Sequence, residues 1–139
     1  MIAIILLRAA GVVLLLLALV NLFVPKRCRW ADDLPRMSLL NRQIFLVHAA
    51  FIVLTVLLMA GVTLGLPHDL MTPSRLSRAV LAAMAFFWLA RLLVQWFYYD
   101  PRIWRGDRFN TIMHFVFTAV WCYLSGTFTY ALWQNVRLG

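Results

Sequence analysis

The sequence predicts an all-α integral membrane protein, an up-down-up-down bundle of four helices that forms one domain over residues 1–139. Of its 139 residues 64% are apolar and only 13% are charged, whereas globular domains are about 45–50% apolar and about 25% charged. Four apolar stretches are each long enough to cross a bilayer, which takes about 20 residues, and the short connections favour antiparallel neighbours. This composition excludes a soluble enzyme, a disordered tail and a nucleic-acid-binding domain, despite the net charge of +8.

The first two spans are predicted at 2–24 and 39–66. The first is interrupted only by Arg8 and is followed by Pro25. No small-residue cleavage site follows its apolar run, so we interpret it as a retained span and not as a signal peptide. The second span is free of charge over most of its length and is ended by Pro67.

The third and fourth spans are predicted at 73–99 and 109–134. Thr72 has a side chain suited to an N-cap, and Pro73 suits the first turn of a helix. The third span should stop before Asp100, since a residue that precedes proline disfavours the helical conformation. The fourth span contains no Asp, Glu, Lys or Arg.

The distribution of Lys and Arg predicts the orientation, because cytoplasmic loops of membrane proteins are enriched in both. The loops after the first and third spans hold Lys26, Arg27, Arg29, Arg36, Arg42, Arg102, Arg105 and Arg108, and the opposite side holds Arg8, Arg75, Arg78 and Arg137. Both termini should therefore face outward, and the first and third loops should face the cytoplasm of a bacterial inner membrane.

Polar side chains are predicted to converge in the cytoplasmic leaflet. His48 and His114 each lie about one turn inside a span, and Gln95 lies one turn before the third span ends, with Arg91 just deeper. Polar residues in spans usually face the bundle interior. The predicted ligand-binding residues are His48, Trp88, Arg91, Gln95, Asn110 and His114.

Simpler interpretations of these residues remain open. A polar stripe on the fourth span, made of Asn110, His114, Thr118, Ser125 and Thr129, is also explained by hydroxyls that bond to their own helix or to a neighbouring helix. Each histidine is close enough to the interface to bond to water or head groups, and Arg91 is long enough to snorkel. The Gly61-xxx-Gly65 pair indicates close approach of another helix.

Two ligands suit such a site. A quinone-like or lipid molecule has a polar head that Arg91, Gln95 and the histidines would hydrogen-bond, with an apolar body for Trp88. Alternatively, His48 and His114 at equal depth on diagonal helices would be the axial ligands of a b-type haem in an electron-transfer protein. Catalytic motifs are missing from the sequence: the spans have no paired carboxylates, no GxSxG turn and no glycine-rich phosphate loop. We therefore assign no catalytic residue and favour a protein that is not an enzyme.

The residues Arg8-Ala-Ala-Gly11, followed by an apolar helix that ends Asn21-Leu-Phe-Val-Pro25, resemble the first span of small four-span bacterial proteins of the DoxX-like kind. The resemblance implies a four-span architecture, and some DoxX-like proteins are implied partners of quinone-linked sulfur oxidation. It assigns no role to any residue. We expect a non-catalytic binding or accessory subunit of a larger membrane complex, whose partners are lipids and other membrane subunits or further copies of itself.

Overall fold

The computed structural model describes residues 1–98 and 108–139, and these ranges contain helices and connections but no strand. Its helices are α1 (Ile2–Asn21), α2 (Val24–Arg27), α3 (Trp30–Asp33), α4 (Leu39–Gly65), α5 (Pro67–Met71), α6 (Arg75–Phe97) and α7 (Arg108–Arg137), with a 3-10 turn at Leu34–Arg36. Four of them, α1, α4, α6 and α7, are long and apolar enough to cross a membrane. The predicted all-α fold with four spans is confirmed. The predicted end of the third span at Tyr99, Asp100, and the loop residues Arg102 and Arg105 lie outside the described ranges.

The start of the third span differs from the prediction. Thr72 is extended and does not cap the helix; its hydroxyl donates to the carbonyl of His68 at 3.0 Å. The cap is Ser74, whose hydroxyl accepts from the amide of Ser77 at 3.0 Å while the Ser77 hydroxyl accepts from the amide of Ser74 at 3.1 Å. This reciprocal pair satisfies two amides that a helix start leaves without partners. Helix α6 therefore begins two residues later than predicted, because Pro73 holds Thr72 in the extended region.

The four spans pack in the spatial order α4, α1, α7, α6. Extensive contacts join α1 to α4, α1 to α7, and α6 to α7, whereas α4 and α6 share none of comparable extent in the described chain. At one end of the bundle the short helix α5 contacts all four spans. The bundle is therefore open along its α4–α6 edge. The fully buried side chains belong mainly to α1, α6 and α7, and include Leu7, Leu14, Leu81, Leu124 and Phe128.

Helix α4 is the least covered of the four spans. Only 11% of its most apolar window is buried, against 33–39% for the other three. Its contact with α1 depends on Gly11, where an added Cβ would lie 2.5 Å from Cγ of Leu64. By contrast, a Cβ at Gly61 or Gly65 would meet nothing within 4 Å. The Gly61-xxx-Gly65 pair is therefore on a free face, and the close helix approach in this bundle uses Gly11 instead.

A buried asparagine holds the α5 end of the bundle together. Asn135 is fully buried, and its side-chain amide donates to the carbonyls of Leu70 at 2.8 Å and Thr72 at 3.3 Å and to the hydroxyl of Ser77 at 3.1 Å. Its Oδ1 accepts from Nε of Arg78 at 3.3 Å. These bonds join α7 to both ends of the connection between α5 and α6.

The opposite end of the bundle carries a compact connection between α1 and α4, residues 22–38, which we call the elbow. It is anchored to α4 by an edge contact between Trp30 and Phe45, whose ring centroids are 4.7 Å apart. It is anchored to α7 by Arg27, which lies 4.7 Å above the ring of Phe109 and donates to Oδ1 of Asn110 at 3.4 Å. The elbow therefore connects the starts of two spans to the end of a third.

Candidate functional site

Six polar or aromatic side chains lie along the contact of α6 with α7: five are joined by direct contacts, and the sixth, Ser125, is buried one turn after Trp121 on α7. They are Trp88, Arg91 and Gln95 from α6 with His114, Trp121 and Ser125 from α7, and we call them the α6–α7 cluster. The residues of each helix recur at steps of three, four or seven, which places them on one helical face. All three predicted ligand residues on α6 and one on α7, His114, are joined here by direct contacts.

Gln95 is the centre of the cluster. It is buried; its Nε2 lies 2.8 Å from Nδ1 of His114, and its Oε1 lies 3.4 Å from Nε1 of Trp121. An indole nitrogen can only donate, so the amide oxygen must face Trp121 and the amide nitrogen must face His114. Nδ1 of His114 is then an acceptor, which makes this imidazole neutral with its proton on Nε2.

Trp121 is enclosed on several sides by aromatic and cationic groups. Its ring stacks on Trp88 with centroids 5.3 Å apart and on Phe117 with centroids 5.7 Å apart, both at 15° between planes. The guanidinium carbon of Arg91 lies 4.9 Å from the centroid of the Trp121 ring. Cation–π contacts strengthen when the pair is shielded from water. The Arg91 side chain is half-buried in the cluster, so the structure does not place it along the lipid-facing surface.

Two buried polar atoms of the cluster have no hydrogen-bond partner. They are Nε1 of Trp88, whose side chain is 2% exposed, and Oγ of Ser125, which is 4% exposed. Other span hydroxyls do bond to their own helix: Thr118 donates to the carbonyl of His114 at 2.7 Å, and Thr55 donates to that of Phe51 at 2.8 Å. A buried polar atom without a partner costs about 1–3 kcal/mol. The cluster therefore contains one donor and one hydroxyl whose hydrogen-bonding capacity is unused within the described chain.

The structure does not bring His48 to this cluster. Its side chain is exposed on α4, and its Nδ1 lies 2.8 Å from the carbonyl of Ile44. Because a carbonyl only accepts, Nδ1 of His48 carries a proton. The expected convergence of three side chains is therefore limited to Gln95 and His114. The topology predicts how deep His48 lies along the bundle, but it does not predict how α4 is rotated about its own axis. The observed rotation turns His48 toward the surface.

The two histidines do not fit the requirements of a shared haem. Axial ligands must approach one iron from opposite sides, each through a nitrogen that carries no proton. His48 is on the surface of α4, which packs mainly on α1, whereas His114 is on α7 facing Gln95. The arrangement therefore gives no support to the haem alternative.

Two members of the predicted polar stripe on α7, Asn110 and Thr129, are not part of the α6–α7 cluster. Asn110 accepts a hydrogen bond from Arg27 of the elbow, and Thr129 is exposed.

Trp121 was not among the predicted site residues, although it lies seven residues after His114 and four before Ser125, on the same face. The seven-residue step from His114 to Trp121 is the sequence signal that indicates this residue.

A search of protein-family models, of curated proteins and of solved structures finds no match to this chain. The function has to be inferred from the chemistry of the cluster and from its place in the bundle.

Proposed function

We propose that this protein is a non-catalytic, membrane-embedded binding and accessory subunit. Its α6–α7 cluster takes the polar head of a lipophilic ligand, either a quinone-like molecule or a lipid. The observation that carries the proposal is the pair of unpartnered buried atoms, Nε1 of Trp88 and Oγ of Ser125. Such atoms are costly within a bilayer, where no solvent is at hand to satisfy them.

The chemistry of the cluster favours a ligand head that accepts hydrogen bonds. Nε1 of Trp88 can only donate, so a group that bonds to it must be an acceptor. The guanidinium of Arg91 also favours a partner that carries partial or full negative charge. A quinone carbonyl, an ester carbonyl or a carboxylate has this character, whereas an ammonium group does not. The six side chains include no carboxylate, and this is consistent with binding in place of acid–base catalysis.

The open α4–α6 edge of the bundle suits entry from the bilayer. A lipophilic molecule reaches such a site sideways, through lipid, and needs no aqueous channel. The exposed face of α4 supports the accessory part of the proposal, because Gly61 and Gly65 leave room there for another spanning helix. A helix of a partner subunit or of a second copy would cover it.

Removing the Ser125 hydroxyl is expected to weaken binding of a quinone analogue and to leave the unligated protein as stable or more stable. The hydroxyl has no partner in the free protein, so its loss costs nothing there, whereas in the complex it bonds to the ligand head. We expect Ser125→Ala, and Trp88→Phe, which keeps the aromatic stacking, to weaken binding about threefold to tenfold, or about 0.6–1.4 kcal/mol. The measurement is the rise in melting temperature with a short-chain ubiquinone analogue in nanodiscs.

Thr118→Ala is the matched control. It removes a hydroxyl from the same helix that already bonds to its own backbone, so it should not change ligand affinity. Equal affinity of wild type, Ser125→Ala and Trp88→Phe would contradict the proposal and indicate that a buried water satisfies these atoms. Titrating the delipidated protein in detergent, once with the quinone analogue and once with phospholipid, distinguishes the two ligand classes.

We also propose a bacterial inner membrane as the location, with the elbow in the cytoplasm and both termini outside. The elbow and the start of α4 carry five Lys and Arg residues, Lys26, Arg27, Arg29, Arg36 and Arg42, which favours this orientation. A phosphatase fused after Gly139 should be active only if the fusion point is outside the cytoplasm, and we expect activity. Activity of a cytoplasm-dependent reporter such as a fluorescent protein fused there, without phosphatase activity, would reverse the orientation.

A further inference from the structure

The elbow contains a charged cavity that is separate from the α6–α7 cluster. Its volume is about 300 Å³, and its walls are formed by Arg27, Cys28, Arg29, Asp32, Asp33 and Arg36. The turn that shapes it passes through Arg29, whose φ of 54° is in the left-handed region. This conformation is unfavourable for a non-glycine residue, and it folds α3 back toward α2. A cavity of this size is at the lower end of small-molecule sites.

The charges around the cavity are only partly paired. Arg29 and Asp32 form an ion pair, with Nε and Oδ2 2.8 Å apart. The side chains of Asp33 and Arg36 make no hydrogen bond or ion pair with any other described residue, although both border the cavity. One acidic and one basic group are therefore available to a ligand, next to the cation of Arg27.

The cavity is formed between the ends of two candidate spans, and this position predicts that it lies at the level of the phospholipid head groups. It begins just after α1 ends at Asn21 and closes just before α4 starts at Leu39. Two large apolar side chains lie between the end of α1 and the cavity residues in the sequence: Leu22 is 64% exposed and Phe23 is 69% exposed. Head-group layers flank the hydrocarbon core directly, so a lipid whose chains contact Leu22 and Phe23 would have its phosphate beside the arginines.

We propose that the elbow cavity binds the phosphodiester of a phospholipid whose head group also carries a hydrogen-bond donor. Arg36 and Arg27 contact the phosphate, since arginine binds phosphate oxygens through paired N–H groups. Asp33 accepts from the remainder of the head group, which is an ammonium in phosphatidylethanolamine and a hydroxyl in phosphatidylglycerol. Phosphatidylcholine has the same phosphate but no donor, because its nitrogen is fully methylated.

Cys28 provides a reporter inside the cavity. It is exposed, and the other cysteine, Cys122, is on α7 in the span region. In a Cys122→Ala background, the rate at which an uncharged, water-soluble maleimide labels Cys28 measures whether the cavity is occupied. In nanodiscs that contain phosphatidylglycerol or phosphatidylethanolamine we expect labelling at least about threefold slower than in phosphatidylcholine alone, the protection given when lipid exceeds its dissociation constant twofold.

Variants of Arg36 and Asp33 test separately the binding of the phosphate and the binding of the remainder of the head group. Arg36→Gln should abolish protection by both lipids, because the phosphate loses a cation. Asp33→Asn should abolish protection by phosphatidylethanolamine and keep that by phosphatidylglycerol, since an amide oxygen still accepts from a hydroxyl but no longer balances an ammonium. The control for surface potential is Ala31→Cys in a Cys28→Ser, Cys122→Ala background. Ala31 is exposed on α3 and does not border the cavity.

Labelling of Cys28 at one rate in all three lipids would overturn the proposal, as would slowing of the Ala31→Cys reference to the same degree as Cys28. Protection by phosphatidylethanolamine that is unchanged in Asp33→Asn would overturn the role of Asp33. In detergent without phospholipid, soluble glycerophosphate should protect only weakly. Full protection by glycerophosphate would identify a free phosphoester as the ligand and overturn the assignment to lipid.

Discussion

Replacing Gly11 by leucine is expected to separate α4 from α1 and to lower the melting temperature of the protein in detergent strongly. A Cβ at Gly11 would lie 2.5 Å from Cγ and 2.7 Å from Cδ2 of Leu64, and 3.3 Å from the backbone nitrogen of Leu64. The side chain of Leu64 can turn away from the new atoms, but its backbone cannot move unless the whole helix shifts. Overpacking of this kind costs about 1–3 kcal/mol and sometimes more.

The loss of stability in Gly11→Leu should be concentrated in α4, because α1 is the main partner of α4 among the spans. Hydrogen exchange of α4 amides should therefore accelerate more than that of α6 or α7. Gly126→Leu is the control, since a Cβ at Gly126 meets nothing within 4 Å and leucine is favoured over glycine in a helix by about 0.8–1 kcal/mol. If Gly11→Leu and Gly126→Leu unfolded at the same temperature, the close crossing at Gly11 would not hold α4 in place.

The number and approximate bounds of the spans could be predicted because each is a long apolar run with few charges. An apolar run indicates the length and the hydropathy of a span, and both are properties of a single helix that do not depend on its neighbours. The rotation of α4 could not be predicted, because this helix is apolar around most of its circumference. His48 was predicted to face the bundle interior, yet it is exposed, and Thr55, seven residues later, bonds to its own backbone.

The candidate site was predictable on α6 and only partly on α7. Trp88, Arg91 and Gln95 stand out because they form a polar face on an apolar helix, and all three are in the cluster. On α7 the candidate site residues were taken only from within the predicted span. Asn135 is one residue beyond the predicted end at 134, but it is fully buried and joins three elements. Two of its partners are the backbone carbonyls of Leu70 and Thr72, which no side-chain pattern in the sequence reveals.

The replacement of Gln95 by leucine is expected to destabilise the protein by about 1–3 kcal/mol, since one buried and one half-buried group lose their partner at once. Nδ1 of His114 loses a donor 2.8 Å away, and Nε1 of Trp121 loses an acceptor 3.4 Å away. Leucine has no polar atom with which to replace either bond. The melting temperature in detergent measures the loss, and Gln43→Leu is the matched control because Gln43 is exposed on α4.

The same variant tests the tautomers that the hydrogen bonds require. In the wild type His114 carries its proton on Nε2, because Gln95 donates to its Nδ1, whereas His48 carries its proton on Nδ1, which donates to the carbonyl of Ile44 at 2.8 Å. The ¹⁵N NMR spectrum of histidine-labelled protein at a pH where both rings are neutral should therefore show two opposite tautomers. Gln95→Leu should remove the preference of His114 and leave His48 unchanged. A His114 signal that is the same in wild type and variant would show that Gln95 does not orient the imidazole. The hydrogen-bond donors and acceptors assigned to the α6–α7 cluster through Gln95 would then be wrong.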